Sequence, residues 1–203
     1  ADLTPYLQDS ENHLEVFVSN EPSDTIYPQQ ADFTFYGGLY RDVSLIVVPK
    51  EHFALDHFGA PGIVVTPSVD LIAMKATVKV ATCQTEDADQ VTIMVDGQSK
   101  TVASVNGKAE AEFAIENVHL WDGIHDPFLY QASARLESGD EISARFGCRD
   151  IQIDAEKGFF LNGRPYPLHG VSRHQDRPGI GNALTYAQHK EDLELIREVG
   201  ANA

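Results

Sequence analysis

The chain has 203 residues, with 15 basic against 31 acidic side chains (formal net charge −16) and 42% hydrophobic content. That content suffices for a packed core in one large or two small domains, and no apolar run approaches the roughly 18 residues of a membrane span. The charge argues against nucleic acid, whose counterion-release term would oppose binding, and reads instead as solubility. The two cysteines, Cys83 and Cys148, lie far apart and fit no CxxC or Cys/His spacing, so structural zinc is unsupported.

In chain order, residues 1–7 read as an incoming turn. Leu14, Val16 and Val18 then repeat with period two within 13–20, which predicts a half-buried strand. A polar loop, 21–30, leads into 31–43, and Leu45, Val47 and Val48 predict a further strand. These strands are too few to close a sheet. The segment therefore reads as the tail of a β-domain whose other strands precede Ala1, with open edges.

From 61 to 147 short alternating runs are separated by turn signals, the pattern of an immunoglobulin-like β-sandwich of about seven strands. Ala76, Val78 and Val80 share one face of 75–83, and Val91, Ile93 and Val95 do the same. Asp96-Gly97 marks a hairpin before a strand at 101–105, and Asn106-Gly107 marks another before 111–118, where Phe113 and Ile115 point inward. Runs at 129–136 and 141–146 complete the set. Trp121 and Tyr130 read as core residues, Pro127 sets the start of a strand, and His119 and His125 read as structural.

The last segment carries the candidate site. Phe159 to Leu161, the Asn162-Gly163 turn and Pro165 to Leu168 predict a hairpin. Its return strand runs on through Ser172 into a polar knot of Arg173, His174, Gln175, Asp176 and Arg177. A buried strand with such a cluster at its C-terminal end is where α/β proteins build sites. After a glycine-rich loop, Thr185 and Gln188 form a capping box that starts a helix. Leu193, Ile196 and Val199 give that helix its apolar face, and Gly200 ends it. Strand, polar loop, helix and the start of a strand make one βα unit, which cannot bury both faces of its strand alone. The chain is accordingly expected to be a fragment.

Three stretches carry a resemblance. GFFLNGRPYPLHGVSRHQDRPGIGNALT (158–185) followed by DLELIREVGANA (192–203) resembles the start of the catalytic (β/α)8 barrel of glycoside hydrolase family 2, most closely a β-galactosidase. GGLYRDVSL (37–45) is similar to the end of that family's jelly-roll domain, and LWDGIHDPFLY (120–130) to its sandwich. The resemblance implies a mainly β chain: the C-terminal part of a jelly-roll sugar-binding domain (1–60), an immunoglobulin-like β-sandwich (61–147) and the truncated start of a TIM barrel (148–203).

The resemblance further implies hydrolysis of terminal β-galactosides with retention, by two carboxyl groups roughly 5 Å apart. In the family both are glutamates of later barrel strands, so no catalytic residue is expected here and the chain alone is expected to be inactive. Glu191, Glu194 and Glu198 belong to the first barrel helix, outside the barrel. His174 corresponds to the histidine that hydrogen-bonds the glycone, with a donor on one ring nitrogen and an acceptor on the other. Asp32 corresponds to a loop aspartate that contacts the sugar and, in some β-galactosidases, ligates a monovalent cation. Arg173 and Asp176 are implied supporting groups, pairing with each other or with the barrel rim. Ser172 stands where most relatives have asparagine.

No cofactor is expected in the chain itself; a monovalent cation and magnesium are the ions implied for a full-length enzyme, with homo-oligomerisation as a further implication. The expected partner is a β-galactoside or related carbohydrate, with neither nucleic acid nor membrane. Two alternatives stand beside it: a β-glucuronidase of the same family, and a non-catalytic carbohydrate-binding or adaptor module, which would have no need of the terminal βα unit.

Overall fold

The computed structural model describes residues 1–25, 34–85 and 88–203. It divides into two compact units, residues 1–44 with 172–195, and residues 45–171 with 196–203.

In the larger unit the period-two pattern becomes seven antiparallel strands: β1 (Ile63–Asp70), β2 (Lys75–Cys83), β3 (Gln90–Val95), β4 (Gln98–Ala103), β5 (Lys108–Glu116), β6 (Tyr130–Leu136) and β7 (Glu141–Phe146). They form two sheets, ordered β1-β2-β5 and β4-β3-β6-β7. The expected inward residues are the core: Val78, Val80, Val91 and Ile93 are 0% exposed, and Ala76, Val95, Phe113 and Ile115 are nearly as deeply buried. Each such valine, isoleucine or phenylalanine contributes about 1.5–3 kcal/mol by leaving water. This is the immunoglobulin-like sandwich that the alternation predicts.

One detail differs from expectation. The strand expected at 101–105 starts at Gln98, because Asp96 and Gly97, both at positive φ, make a two-residue turn that pairs Val95 directly with Gln98. β1 carries Pro67 in mid-strand, tolerable because β1 is an edge of its sheet.

Residues 45–60, expected with the first domain, group with the sandwich. Phe53 lies in the sandwich core, and its backbone N–H donates to Asp140 Oδ2 at 2.8 Å. Trp121, expected as core, is only half-buried and lies under the Arg149 guanidinium, 4.8 Å from its ring centre. His119 has the structural role expected of it: its ring stacks on Phe128, its Nε2 meets Asp126 Oδ2 at 2.6 Å, and its backbone N–H donates to Tyr130 Oη.

Beyond the sandwich, β8 (Ile151–Asp154), β9 (Gly158–Leu161) and β10 (Arg164–Pro165) form a small antiparallel sheet around the Asn162-Gly163 turn. Asn162 ties this turn to the sandwich, donating from Nδ2 to Trp121 O (3.0 Å) while its Oδ1 accepts from the Asp150 N–H (3.1 Å). Arg164 adds a 2.7 Å ion pair to Asp122. The strand expected at 168–172 forms no regular ladder; among the described residues its backbone bonds go to Asn202 and Ala203. The His169 carbonyl and the Val171 N–H both bond the Ala203 backbone (3.3 and 3.0 Å), which is the parallel pattern of neighbouring barrel strands.

Among the described residues no strand forms at 13–20 in the smaller unit or at 45–48 in the larger one, although both are expected from the alternation. Leu14, Val16, Val18, Leu45 and Val47 are exposed. Alternation selects a face, but a strand exists only against a partner that takes up its N–H and C=O groups. A short 3-10 turn, Thr4–Tyr6, opens the smaller unit. The helix α1 (Tyr186–Glu198) forms as predicted, with Gln188 Oε1 accepting the Thr185 N–H at 2.8 Å in the capping box. Its apolar residues Leu193 and Leu195 and the following Val199 remain exposed. No helix of the described residues is long and apolar enough to cross a membrane.

Candidate functional site

Ser172 and the first four residues of the polar knot, 173–176, line a cleft of about 550 Å³ within the smaller unit. Ser172, Arg173, His174, Gln175 and Asp176 form one wall with Asn182; the other comes from Val18 to Asn20 and from Thr34 to Gly37 with Tyr40. Two stretches more than 130 residues apart in sequence thus meet in one hollow. Gly37 permits the approach, since a Cβ there would lie 3.0 Å from the Asn20 side chain. Asn20 Nδ2 in turn donates to Phe35 O at 3.0 Å, which holds the two runs together.

Tyr36 seats its ring on Gly181, where a Cβ would fall 2.7 Å from Tyr36 Cε1 and where φ is +54°. A second hollow, lined by Tyr36, Asp176 and residues 177–181, adjoins the first through the residues they share. Amide, hydroxyl, imidazole and carboxylate groups interleaved with phenol rings suit a polyhydroxylated ligand, whose hydroxyls both donate and accept.

Of the expected site residues, His174 and Asp176 lie in the wall of the cleft. Asp32 lies outside the described residues. Arg173 also lines the cleft, but it does not pair with Asp176. Its partner is Asp192 of α1, a salt bridge through Nη2 supplemented by Nε–H donating to Oδ2 at 3.0 Å; Nη2 also donates to His189 Nδ1 at 3.0 Å. The reason is geometric: α1 presents Gln188, His189 and Asp192 on adjoining positions one turn apart, facing the root of the loop. Arg177 binds the other oxygen of Asp192, and also Glu191 Oε2 (2.8 Å) and Gln188 O (3.0 Å). The two guanidiniums hold the Asp192 carboxyl below the usual carboxylate range.

Tyr36, Tyr40, Asn20 and Asp192 were not among the expected site residues. The Gly37-Gly38 pair and the spacing of Gln188, His189 and Asp192 were the available signals, but neither names a partner. Among the described residues no three His, Cys, Asp or Glu side chains converge on a point that could hold a metal ion.

Residues 63–149 match the family described as Glycosyl hydrolases family 2, and residues 151–203 match its TIM barrel domain. The chain belongs to glycosyl hydrolase family 2. A β-glucuronidase of Bacteroides fragilis is 34% identical to it, over 100% of this chain and 31% of that protein. A β-galactosidase of Staphylococcus xylosus is 28% identical, over 100% of this chain and 19% of that protein. Among solved structures, an FMN-binding β-glucuronidase from Facaelibacterium prausnitzii L2-6 matches with a TM-score of 0.83 at 40% identity, covering 91% of this chain and 30% of its own. The chain spans less than a third of the length of these relatives.

Proposed function

We propose that the whole protein is a retaining hydrolase of β-D-glucuronides and that this chain supplies part of its glycone-binding cleft. The observation that carries the reading is the placement of His174 in a polar, tyrosine-flanked cleft of a family 2 chain. The sugar is chosen by similarity: a β-glucuronidase at 34% identity and another at 40% match better than the β-galactosidase at 28%. A glucuronide therefore replaces the galactoside expected from the sequence motif.

Retention needs two carboxyl groups roughly 5 Å apart, whereas the described lining of the cleft holds one carboxylate, Asp176. This chain is accordingly assigned sugar recognition within that cleft. The deciding experiment compares kcat/KM of the whole protein on 4-nitrophenyl β-D-glucuronide and β-D-galactopyranoside. A preference of about a hundredfold or more for the glucuronide is expected, since a site built to pair a carboxylate rejects a sugar lacking it. The opposite preference would restore the galactoside reading. Turnover of neither would favour a non-catalytic carbohydrate-binding module.

A further inference from the structure

Arg173 and Arg177 bracket the cleft-lining residues His174, Gln175 and Asp176, and both guanidiniums end on one carboxylate. Arg173 reaches Oδ2 of Asp192 through Nε and Nη2, and Arg177 reaches Oδ1 through Nη2. Both oxygens are thereby used, one per arginine. The three side chains are each 22–26% exposed, so water competes less for these bonds than at an open surface. Two charge-assisted contacts on one rigid helix fix both ends of a five-residue stretch.

We propose that Asp192 is a positioning residue for the sugar cleft: by clamping Arg173 and Arg177 to α1 it sets the course of residues 174–176 and hence the placement of the His174 imidazole. Asp192 itself is not among the residues lining the cleft. Its neighbours support the same clamp rather than a rival one. Glu191 and the Gln188 carbonyl take two further donors of Arg177, and His189 accepts from Arg173 at Nδ1, since a guanidinium can only donate. Loss of the carboxylate leaves two guanidiniums adjacent to one another with their shared counter-charge gone. Asparagine keeps the volume but replaces one of the two carboxylate oxygens by an NH2 donor, which cannot accept from the guanidinium that oxygen serves.

The kinetic part of the proposal rests on the glycosidase reading, and two measurements keep the two apart. In the 15N-labelled 203-residue chain, the Arg173 Nε–H signal should lose its hydrogen-bonded shift in Asp192→Asn, and the backbone amides of His174, Gln175 and Asp176 should move with it. Amides 174–176 left at their wild-type positions would overturn the clamp, whatever the protein hydrolyses. In the whole protein, Asp192→Asn and Asp192→Glu are compared after titration of active sites. A role in positioning predicts a KM for aryl β-D-glucuronide raised about tenfold or more in Asp192→Asn, with the loss partly recovered in Asp192→Glu, which retains the charge. Wild-type KM in Asp192→Asn, with only the yield of active protein reduced, would show a merely structural residue and overturn the assignment. A wild-type protein that hydrolyses no glycoside would overturn the function while the amide shifts still decide the clamp.

Discussion

Gly123 of the sandwich lies directly against the phenol of Tyr166, so that a Cβ at position 123 would sit 2.3 Å from Tyr166 Oη. Gly123 also has φ +62°, a conformation that side chains other than glycine adopt at a cost. The Tyr166 oxygen faces the Ile124 N–H at 3.5 Å and its ring meets His125 edge-on, which seats the hairpin on the sandwich loop.

Gly123→Ala should therefore destabilise the chain by about 2–4 kcal/mol, combining left-handed strain with overpacking. Denaturant unfolding checks the size. In the Tyr166→Ala background the same change should cost only the conformational part, about 1–2 kcal/mol. Equal costs in both backgrounds would mean that the packing against Tyr166 is immaterial.

The Asp122–Arg164 pair at the same joint makes a pH prediction. Arg164 hydrogen-bonds Asp122 and holds its carboxyl below the usual range, with Asn162 adding a weaker contact. A carboxyl whose folded pKa is lowered stabilises the fold fully above its unfolded value, about 3.9, and this contribution is lost as pH falls through the folded value. With Arg164 67% exposed, the contribution should stay below about 1 kcal/mol. An NMR titration of Asp122 should show its midpoint rising in Arg164→Ala; an unmoved midpoint would remove the pair from the joint.

The two thiols should differ sharply in reactivity. Cys148 is fully buried, and burial, with a smaller contribution from the Asp96 charge, pushes its thiol up to about 11. Cys83 is half-buried, with its Sγ 3.7 Å from His57 Nε2. At pH 8 the Cys148 thiolate is about a thousandth of the total and shielded, so a disulfide reagent should label one thiol in the native chain and two after unfolding. Rapid native labelling of Cys148 would contradict its burial.

In the whole protein, His174→Ala should lower kcat/KM on the preferred glycoside by about 30–1000-fold, equivalent to roughly 2–4 kcal/mol of lost transition-state contact. Asp32→Ala is expected to behave in the same way through the sugar contact that the family resemblance implies. Steady-state kinetics on both variants checks each assignment separately, and wild-type kinetics removes that residue from the site.

Local order was legible along the chain wherever a short-range rule sufficed. Period two in 75–83, 91–95 and 111–115 identified the core face, because a pleated strand sends alternate side chains to opposite sides. Asn162-Gly163 and the Thr185–Gln188 box announced a turn and a helix start, because each satisfies its own backbone within a few residues. The same reasoning misjudged residues 13–20, whose alternation is as clean, since no partner strand takes up their backbone groups in the described structure. The partners of Arg173 were equally illegible: Asp176 is nearer in sequence, yet Asp192 is where α1 brings a carboxylate to it. Sequence alone thus determined the family, the sandwich core and the presence of a histidine-bearing polar loop, all written in local pattern. Only the tertiary structure decided that Tyr36 and Asn20 face that loop and that Asp192 anchors it, because such contacts depend on where distant segments come to lie and leave no periodic trace in the chain.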